Sequence, residues 1–295
     1  MNNKPTLSPV IAGCMKWGQW GAQFTTGQYL EIIEHCVGYG ITSFDHADIY
    51  GNYTVEEEFG KAIRHKSSLR QQMQLISKCG IKMVTANRPD HHIKSYDTSK
   101  EHILLSVHNS LKNLNTEYLD ILLIHRPDAL MNPEEIAAAF SQLQQQGKVL
   151  HFGVSNFLPH QLQMLHRFFP VEINQIEISL TYLDPFHNGQ LDQCIEMNII
   201  PMAWSPMGGG NLTSDPEDER NFRIQAVCEI LAKKYDAEPQ QIQIAFLTSH
   251  PSHILPVMGT SKHKRLELAL KASDIPLERE EWYMLWRAAM GHEVP

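Results

Sequence analysis

The chain has 295 residues, of which 42% are hydrophobic and 20% charged, so it can form one large barrel or two ordinary domains. Its formal net charge of -8 disfavours non-specific binding to nucleic acid or to an anionic membrane surface. The five cysteines are scattered, the sixteen histidines form no ligand cluster, and no apolar signal region follows the polar residues 1–5. We therefore expect a cytoplasmic protein without disulfides, a metal site or a membrane span.

The first part of the chain alternates short apolar segments with amphipathic ones. A strand is predicted over residues 8–15, and a helix follows over residues 26–39, ended by Gly40. Residues 41–44 are mostly β-branched or aromatic and predict a second strand, which ends at Asp45.

The next two units repeat this order. Residues 54–57 match a capping box and predict a helix over residues 55–63, and a strand follows over residues 74–79. A long polar loop then leads to a second capping-box sequence at residues 98–101. That sequence predicts a helix that ends at Leu114.

The second half of the chain continues the alternation. Asn132 and Pro133 predict the start of a helix, and Gly147 predicts its end. The remaining strands are predicted over residues 119–125, 149–156, 172–179, 199–205 and 253–258. The remaining helices are predicted over residues 159–169, 189–197, 222–235, 239–249, 262–271 and 277–290, with a glycine-rich acidic loop over residues 208–219.

This alternation decides the fold class. Strands that alternate strictly with helices are typical of a parallel sheet, because each parallel return needs a crossover. We predict an α/β fold, a (β/α)8 TIM barrel that forms a single domain over residues 1–295 with extra loops and a C-terminal helix. An open doubly wound sheet is the competing fold, but no Gly-x-Gly-x-x-Gly turn follows the first strand.

In such a barrel, functional side chains lie at the carboxyl ends of several strands. Lysine is seldom buried without a partner, and Asp45 is available for Lys78 one strand away. A structural ion pair is one interpretation of these two residues; the phenol of Tyr50 and the imidazole of His125 favour a catalytic one. Other polar or aromatic residues at strand ends are Ser155, Asn156, Gln175, Trp204 and the stretch Gly259-Thr260-Ser261. A metal site at His46 and Asp48 is disfavoured, because strand alternation turns His46 away from Asp45.

Four segments together resemble the aldo-keto reductase family, and within it the bacterial YdhF-like members. They are Asp45-His46-Ala47-Asp48-Ile49-Tyr50-Gly51, Leu122-Leu123-Ile124-His125-Arg126-Pro127-Asp128, Phe152-Gly153-Val154-Ser155-Asn156-Phe157 and Ala203-Trp204-Ser205. The resemblance covers essentially the whole chain. It implies a TIM-barrel oxidoreductase that uses NADPH/NADP+ and reduces the carbonyl groups of aldehydes and ketones to alcohols by hydride transfer, with Tyr50 as the proton donor.

The resemblance also implies roles for individual residues. Asp45, Tyr50, Lys78 and His125 match the catalytic tetrad of the family. The cofactor contacts that it implies are Met15, Asp45, Ser155, Asn156, Gln175, Trp204, Ser205, Gly208, Gly259, Thr260, Ser261, Lys262 and Arg265. The substrate pocket would be formed by Trp17, Trp20, Tyr50, His125 and Arg126.

Carbonyl reduction requires these residue types. Hydride transfer leaves a developing alkoxide that must gain a proton, and a phenol with a pKa of about 10 is a weak acid at neutral pH. Lys78 would favour the phenolate of Tyr50 and so make it a better donor, while Asp45 holds Lys78 in place. His125 would hold the substrate oxygen as part of an oxyanion site.

The sequence leaves two questions open. Arg126 either pairs with Asp128 or another acidic loop residue, or reaches the pocket and favours substrates with a carboxylate or several carbonyl oxygens. The chain as a whole is either a reductase or a catalytically weak NADPH-binding barrel that acts as a regulatory or interaction subunit. We expect a small-molecule carbonyl substrate, and a monomer or weak homo-oligomer.

Overall fold

The computed structural model describes residues 4–210, 212 and 218–295. Ten strands are assigned in this part of the chain. They are β1 Ile11–Gly13, β2 Ser43–Asp45, β3 Gln74–Cys79, β4 Ile81–Lys82, β5 Ser95–Tyr96, β6 Leu119–Ile124, β7 Val149–Ser155, β8 Ile173–Glu177, β9 Ile200–Trp204 and β10 Leu255–Met258.

Eight of these strands close into a parallel barrel in the order β1-β10-β9-β8-β7-β6-β3-β2. The predicted (β/α)8 barrel is therefore confirmed, and all eight carboxyl ends lie at one rim. The other two strands, β4 and β5, form an antiparallel hairpin inside the long loop after β3. This hairpin was not predicted, because its two-residue strands are too short for a recognisable alternation.

Helices surround the barrel. In the same residues they are α1 Thr26–Gly38, α2 Tyr50–Tyr53, α3 Val55–His65, α4 Lys100–Asn113, α5 Pro133–Gln145, α6 Pro159–His166, α7 Gln190–Glu196, α8 Glu219–Lys234, α9 Pro239–Thr248, α10 His263–Ala272 and α11 Arg279–Met290. Part of the predicted acidic loop, residues 211 and 213–217, lies outside the described residues, as do residues 1–3. Within the described residues, no helix has the length and apolar character needed to cross a membrane.

The helix starts confirm one prediction and correct two. Asn132 caps α5, since its Oδ1 accepts the backbone N–H of Glu134 at 3.0 Å. The capping box predicted at residues 54–57 does not form: Thr54 has helical rather than extended backbone angles, and its hydroxyl caps no backbone N–H but donates to the carbonyl of Gly51 at 2.7 Å. The cap of α4 is Ser99 rather than Thr98, with the His102 N–H donating to its hydroxyl at 3.3 Å.

The lumen of the barrel is filled by an apolar cluster of its own. It comprises Ile11, Ile76, Ile121, Leu123, Ile173, Met202 and Val257, which come from six different strands. A second layer of apolar side chains packs between the strands and the helices. A close approach of α3 and α4 belongs to this outer layer: a Cβ on Gly60 would lie 1.9 Å from the carbonyl oxygen of Asn113. The barrel is thus a packed core rather than an open channel.

Candidate active site

A polar layer covers the apolar lumen at the carboxyl rim, and strand geometry explains it. Successive side chains of a strand point to opposite faces, so a residue two positions after a lumen residue also faces inward. Lys78 follows Ile76 by two positions, His125 follows Leu123, and Gln175 follows Ile173. Trp204 has the same relation to Met202. The spacing that packs the core therefore also collects these side chains at one end of it.

Lys78 is the centre of this layer. Its Nζ donates hydrogen bonds to Asp45 Oδ2 at 2.7 Å, to the backbone oxygen of His46 at 2.8 Å and to the Tyr50 hydroxyl at 3.0 Å. All three donor positions of the ammonium group are used, and Lys78 is only 1% exposed. A buried ammonium group that is fully paired in this way is held in a single orientation.

A short irregular turn places the phenol of Tyr50 against Lys78. Gly51 and Asn52 both have left-handed backbone angles, with φ of 57° and 59°, so α2 is kinked immediately after Tyr50. Such angles are easily reached by glycine and asparagine. The turn leaves Tyr50 8% exposed at the base of a cavity.

The titration behaviour of this group follows from burial and the local charges. Burial raises the pKa of Tyr50, and Lys78 opposes that rise without cancelling it. For Lys78 itself burial favours the neutral amine, but Asp45 and Tyr50 outweigh it, so the pKa of Lys78 is raised. At neutral pH the site therefore holds a lysine cation beside a protonated phenol.

His125 completes the layer on the neighbouring strand. Its ring is perpendicular to that of Tyr50, with 6.1 Å between the ring centres, and the residue is 8% exposed. Its buried Nδ1 has no hydrogen-bond partner among the described residues. Burial, assisted by the positive charges of Lys78 and Arg126, holds the pKa of His125 well below its usual range. The imidazole is thus neutral and has one N–H to donate.

A chain of hydrogen bonds positions four further predicted residues. Trp204 Nε1 donates to Asn156 Oδ1 at 2.9 Å, and Asn156 Nδ2 donates to the Ser155 hydroxyl at 2.7 Å. That hydroxyl donates to the backbone oxygen of Gln175 at 2.9 Å. Gln175 Nε2 in turn donates to Asp45 Oδ1 at 2.8 Å, so the chain ends at the carboxylate that holds Lys78.

A cavity of about 1020 Å³ opens above this layer. It is lined by every predicted cofactor contact except Gly208, which is buried, although its neighbours Gly209 and Gly210 take part. Trp20, Tyr50, His125 and Arg126 also line it. The opposite end of the cavity reaches residues 259–265, at the start of α10.

One predicted pocket residue lies elsewhere. Trp17 is fully buried and packs against Tyr29, Phe44 and Phe59 rather than lining the cavity. The chain turns back directly after it, since the N–H of Ala22 donates to the carbonyl of Lys16 at 2.7 Å. Trp17 contributes indirectly: its Nε1 donates to the backbone oxygen of Thr260 at 3.0 Å and so anchors the strand end beside the cavity.

Several residues that line the cavity were not predicted from the sequence. The hairpin contributes Lys94 and Tyr96, and the loop after β1 contributes Lys16. Helix α9 contributes Gln241 and Gln243, which are 7% and 4% exposed. The glutamines had a detectable signal, because polar residues on the buried face of a helix are uncommon.

The family comparison agrees with this geometry. The model of the Aldo/keto reductase family matches residues 9–288. Oxidoreductase YcsN of Bacillus subtilis is 41% identical over 98% of this chain and 96% of its own. Oxidoreductase YdhF of Escherichia coli is 38% identical over 99% and 96%, and a 6-dehydroglucose reductase of Agrobacterium fabrum is 36% identical over 100% and 98%.

Solved structures show the same architecture. A thermostable aldo-keto reductase in complex with the inhibitor epalrestat has a TM-score of 0.80 and 26% identity, over 96% of this chain and 95% of that one. An aldo/keto reductase from Klebsiella pneumoniae in complex with NADP and acetate has a TM-score of 0.77 and 25% identity, over 97% and 95%.

Proposed function

The chain belongs to the aldo/keto reductase family of oxidoreductases, and from that premise we propose that it uses NADPH to reduce the carbonyl group of a small aldehyde or ketone to an alcohol. The observation that carries this proposal is the hydrogen bond from the buried ammonium group of Lys78 to the Tyr50 hydroxyl, at 3.0 Å, in the wall of the cavity. A binding module has no need of a phenol held in this way.

The residues at the rim fit a nicotinamide dinucleotide. Trp204 offers a flat ring, and Ser155, Asn156 and Gln175 offer amide and hydroxyl groups beside it. At the other end, Lys262 and Arg265 offer cations at the start of α10, and the open space beside Gly259 leaves room for close approach. One solved relative contains NADP, which supports the choice of cofactor. When bound, the cofactor supplies the hydride that reduces the carbonyl carbon.

The chain's own residues supply the proton and its control. Tyr50 donates the phenolic proton to the carbonyl oxygen as that oxygen gains negative charge. Lys78 stabilises the phenolate that remains, and solvent later returns the proton. His125, neutral and with one N–H to donate, holds the same carbonyl oxygen opposite Tyr50. Asp45, Lys78 and Tyr50 thus act as one unit, in which Asp45 orients the lysine.

The test is a Tyr50→Phe variant assayed for NADPH oxidation against a panel of aldehydes, ketones, quinones and keto acids. We expect wild type to reduce members of the panel, and the variant to lose about 10²-fold or more in kcat, because a positioned general acid has been removed. NADPH affinity, measured by fluorescence titration, should be kept. A variant with near-normal kcat would contradict the role of Tyr50.

The same experiment separates the alternative function. A regulatory or interaction subunit would bind NADPH with ordinary affinity, yet oxidise it with no member of the panel. Lys78→Met provides a second comparison, since it removes the group that holds the phenol but leaves Tyr50 in place. In a reductase this variant should also be severely impaired, whereas in a binding module it should change nothing that the assay measures.

A further inference from the structure

Arg126 has an unusual position for a strongly basic side chain. It directly follows His125, is half-buried and lines the cavity. Its guanidinium carbon lies 5.6 Å from the centre of the Trp204 ring. A guanidinium group over an aromatic face is held by cation–π attraction, which fixes its plane and leaves its N–H groups at the edges free to bind.

The guanidinium group has no anionic partner among the described residues. No carboxylate of these residues lies within 4.0 Å of it, and Arg126 takes part in none of their ion pairs. Asp128, the partner that the sequence suggested, accepts hydrogen bonds from the Thr98 hydroxyl at 3.1 Å and from the Leu130 N–H at 2.9 Å instead. The purely structural interpretation of Arg126 therefore loses its main support.

The charged residues that line the cavity are mostly cations. Lys16 and Lys94 line the wall together with Arg126. Asp45 is the only carboxylate among the described residues of the lining, and both its oxygens are already used, by Lys78 and by Gln175. The chain as a whole is acidic, with a net charge of -8, so this local excess of cations does not follow from composition. Such a surface favours an anionic ligand.

Glu177 is a competitor for the guanidinium, since Arg126 acts on the pKa of its carboxyl group. It lies at the end of β8, paired in register with Trp204 on β9. Burial raises the pKa of its carboxyl group and Arg126 lowers it, so the two charges interact. The two side chains nevertheless form no ion pair within 4.0 Å, and the guanidinium keeps its hydrogen-bonding capacity.

We propose that Arg126 binds an anionic group of the substrate, so that the preferred substrates are carbonyl compounds that also carry a carboxylate. This inference rests on the proposed reductase function and adds a substrate class to it. A guanidinium binds a carboxylate through two parallel hydrogen bonds, which would set the orientation of the carbonyl group relative to Tyr50 and His125. Arg126 is a residue for specificity, whereas proton transfer belongs to Tyr50.

The test compares 4-formylbenzoate with its methyl ester, two aldehydes of similar shape that differ by one negative charge. Wild type should have the higher kcat/KM for the acid. Arg126→Gln should lower the acid-to-ester ratio of kcat/KM by about tenfold or more, the effect of losing a charge-assisted bond. Arg126→Lys should give an intermediate ratio, since it keeps the charge but loses the planar fork.

Two further variants test the role of Arg126 even if Arg126→Gln does not fold. Glu177→Gln should raise the acid-to-ester ratio, because it removes the competing carboxylate. Arg64→Gln is the matched control: Arg64 is exposed on α3, outside the cavity, and its loss changes the net charge by the same amount. The ratio of this control should equal that of wild type.

Each outcome has a distinct meaning. Equal ratios in wild type and Arg126→Gln, or reduction of the ester but not of the acid by wild type, overturn the role of Arg126 and leave the reductase function standing. If wild type reduces neither aldehyde nor any other carbonyl compound of the panel, the reductase function falls, and the substrate class with it. Competitive inhibition by benzoate but not by benzamide, lost in Arg126→Gln, would support the proposal without turnover of an anionic substrate.

Discussion

Burial disfavours the charged forms of two neighbouring bases at the rim, Lys78 and His46, but their different partners give them opposite pKa shifts. Lys78 is stabilised as a cation because it has a carboxylate and a phenol beside it, and its pKa is raised. His46, one residue after Asp45, has no such partner among the described residues; it is fully buried with its ring against Phe59, 4.5 Å between centres. Burial lowers the pKa of His46 to about 3, and the charge of Lys78 acts in the same direction. The backbone of His46 nevertheless serves the site, since its carbonyl accepts a hydrogen bond from Lys78.

This difference predicts an acid-sensitive contribution of His46 to stability. In the unfolded chain His46 has its ordinary pKa of about 6.5. Below that pH it is therefore protonated in the unfolded state but stays neutral in the folded state. The free energy of unfolding therefore decreases as the pH is lowered from about 6.5 to about 3, the pKa of His46 in the folded protein. His46→Asn removes this loss. The unfolding free energy of the variant minus that of wild type should therefore be more favourable at about pH 5 than at about pH 7.5, by about 2 kcal/mol.

Urea unfolding at the two pH values measures this effect. The buried acids Asp48 and Glu56 have raised pKa values, because burial disfavours their charged forms, and they act in the opposite direction. They are present in both proteins, so their contribution cancels in the difference. His65→Asn, at an exposed position, is the control. If the difference in unfolding free energy between His46→Asn and wild type were the same at both pH values, the lowered pKa of His46 would be contradicted.

At the scale of whole elements, the contact of α3 with α4 requires a residue without a side chain. A Cβ on Gly60 would lie 1.9 Å from the carbonyl oxygen of Asn113, and backbone atoms can move away only if the helices separate. Gly60→Ala should therefore destabilise the protein by about 1–3 kcal/mol, the usual cost of overpacking. Thermal or urea unfolding measures the change.

Gly38 offers the matched control on α1. A Cβ at this helical position would meet no heavy atom within 4 Å. Alanine is the better helix former, so Gly38→Ala should leave stability unchanged or raise it by about 0.5–1 kcal/mol. If Gly60→Ala and Gly38→Ala changed the stability equally, the close approach of α3 and α4 would not be the reason for glycine at residue 60.

The start of α10 leads to a prediction about cofactor choice. Lys262 and Arg265 line the far end of the cavity, and their charges suit the extra phosphate group that distinguishes NADPH from NADH. Lys262→Met and Arg265→Met should each raise the Kd for NADPH by about tenfold or more and change the Kd for NADH little. Lys271→Met, near the other end of the same helix, is the control. Equal weakening of both cofactors would contradict this role.

At the scale of the whole molecule, the parts that strand alternation determines could be predicted from the sequence. Parallel strands bring their carboxyl ends to one rim, so Asp45, Lys78 and His125 could be assigned to one place without coordinates. Contacts set by loop paths could not. The hydrogen bond from Gln175 to Asp45 joins residues 130 positions apart. The burial of Trp17 depends on a turn that no local sequence pattern predicts. The capping box at Thr54 failed for a similar reason: Thr54 follows a left-handed turn and has helical backbone angles, whereas a capping residue is extended.

Closure of the sheet also affects how the chain can be made. The first strand, β1, pairs with β10 as well as with β2, so the ring is incomplete until residues 255–258 have been synthesised. Until then β1 and β9 both present unpaired edges, which are sites of aggregation. A chain that stops after residue 250 should therefore be recovered largely as aggregate, whereas one that stops after residue 291, beyond α11, should stay monomeric or assemble as the full chain does. Size-exclusion chromatography after matched expression decides between these outcomes, and a well-dispersed shorter chain would mean that the ring need not close to protect its edges.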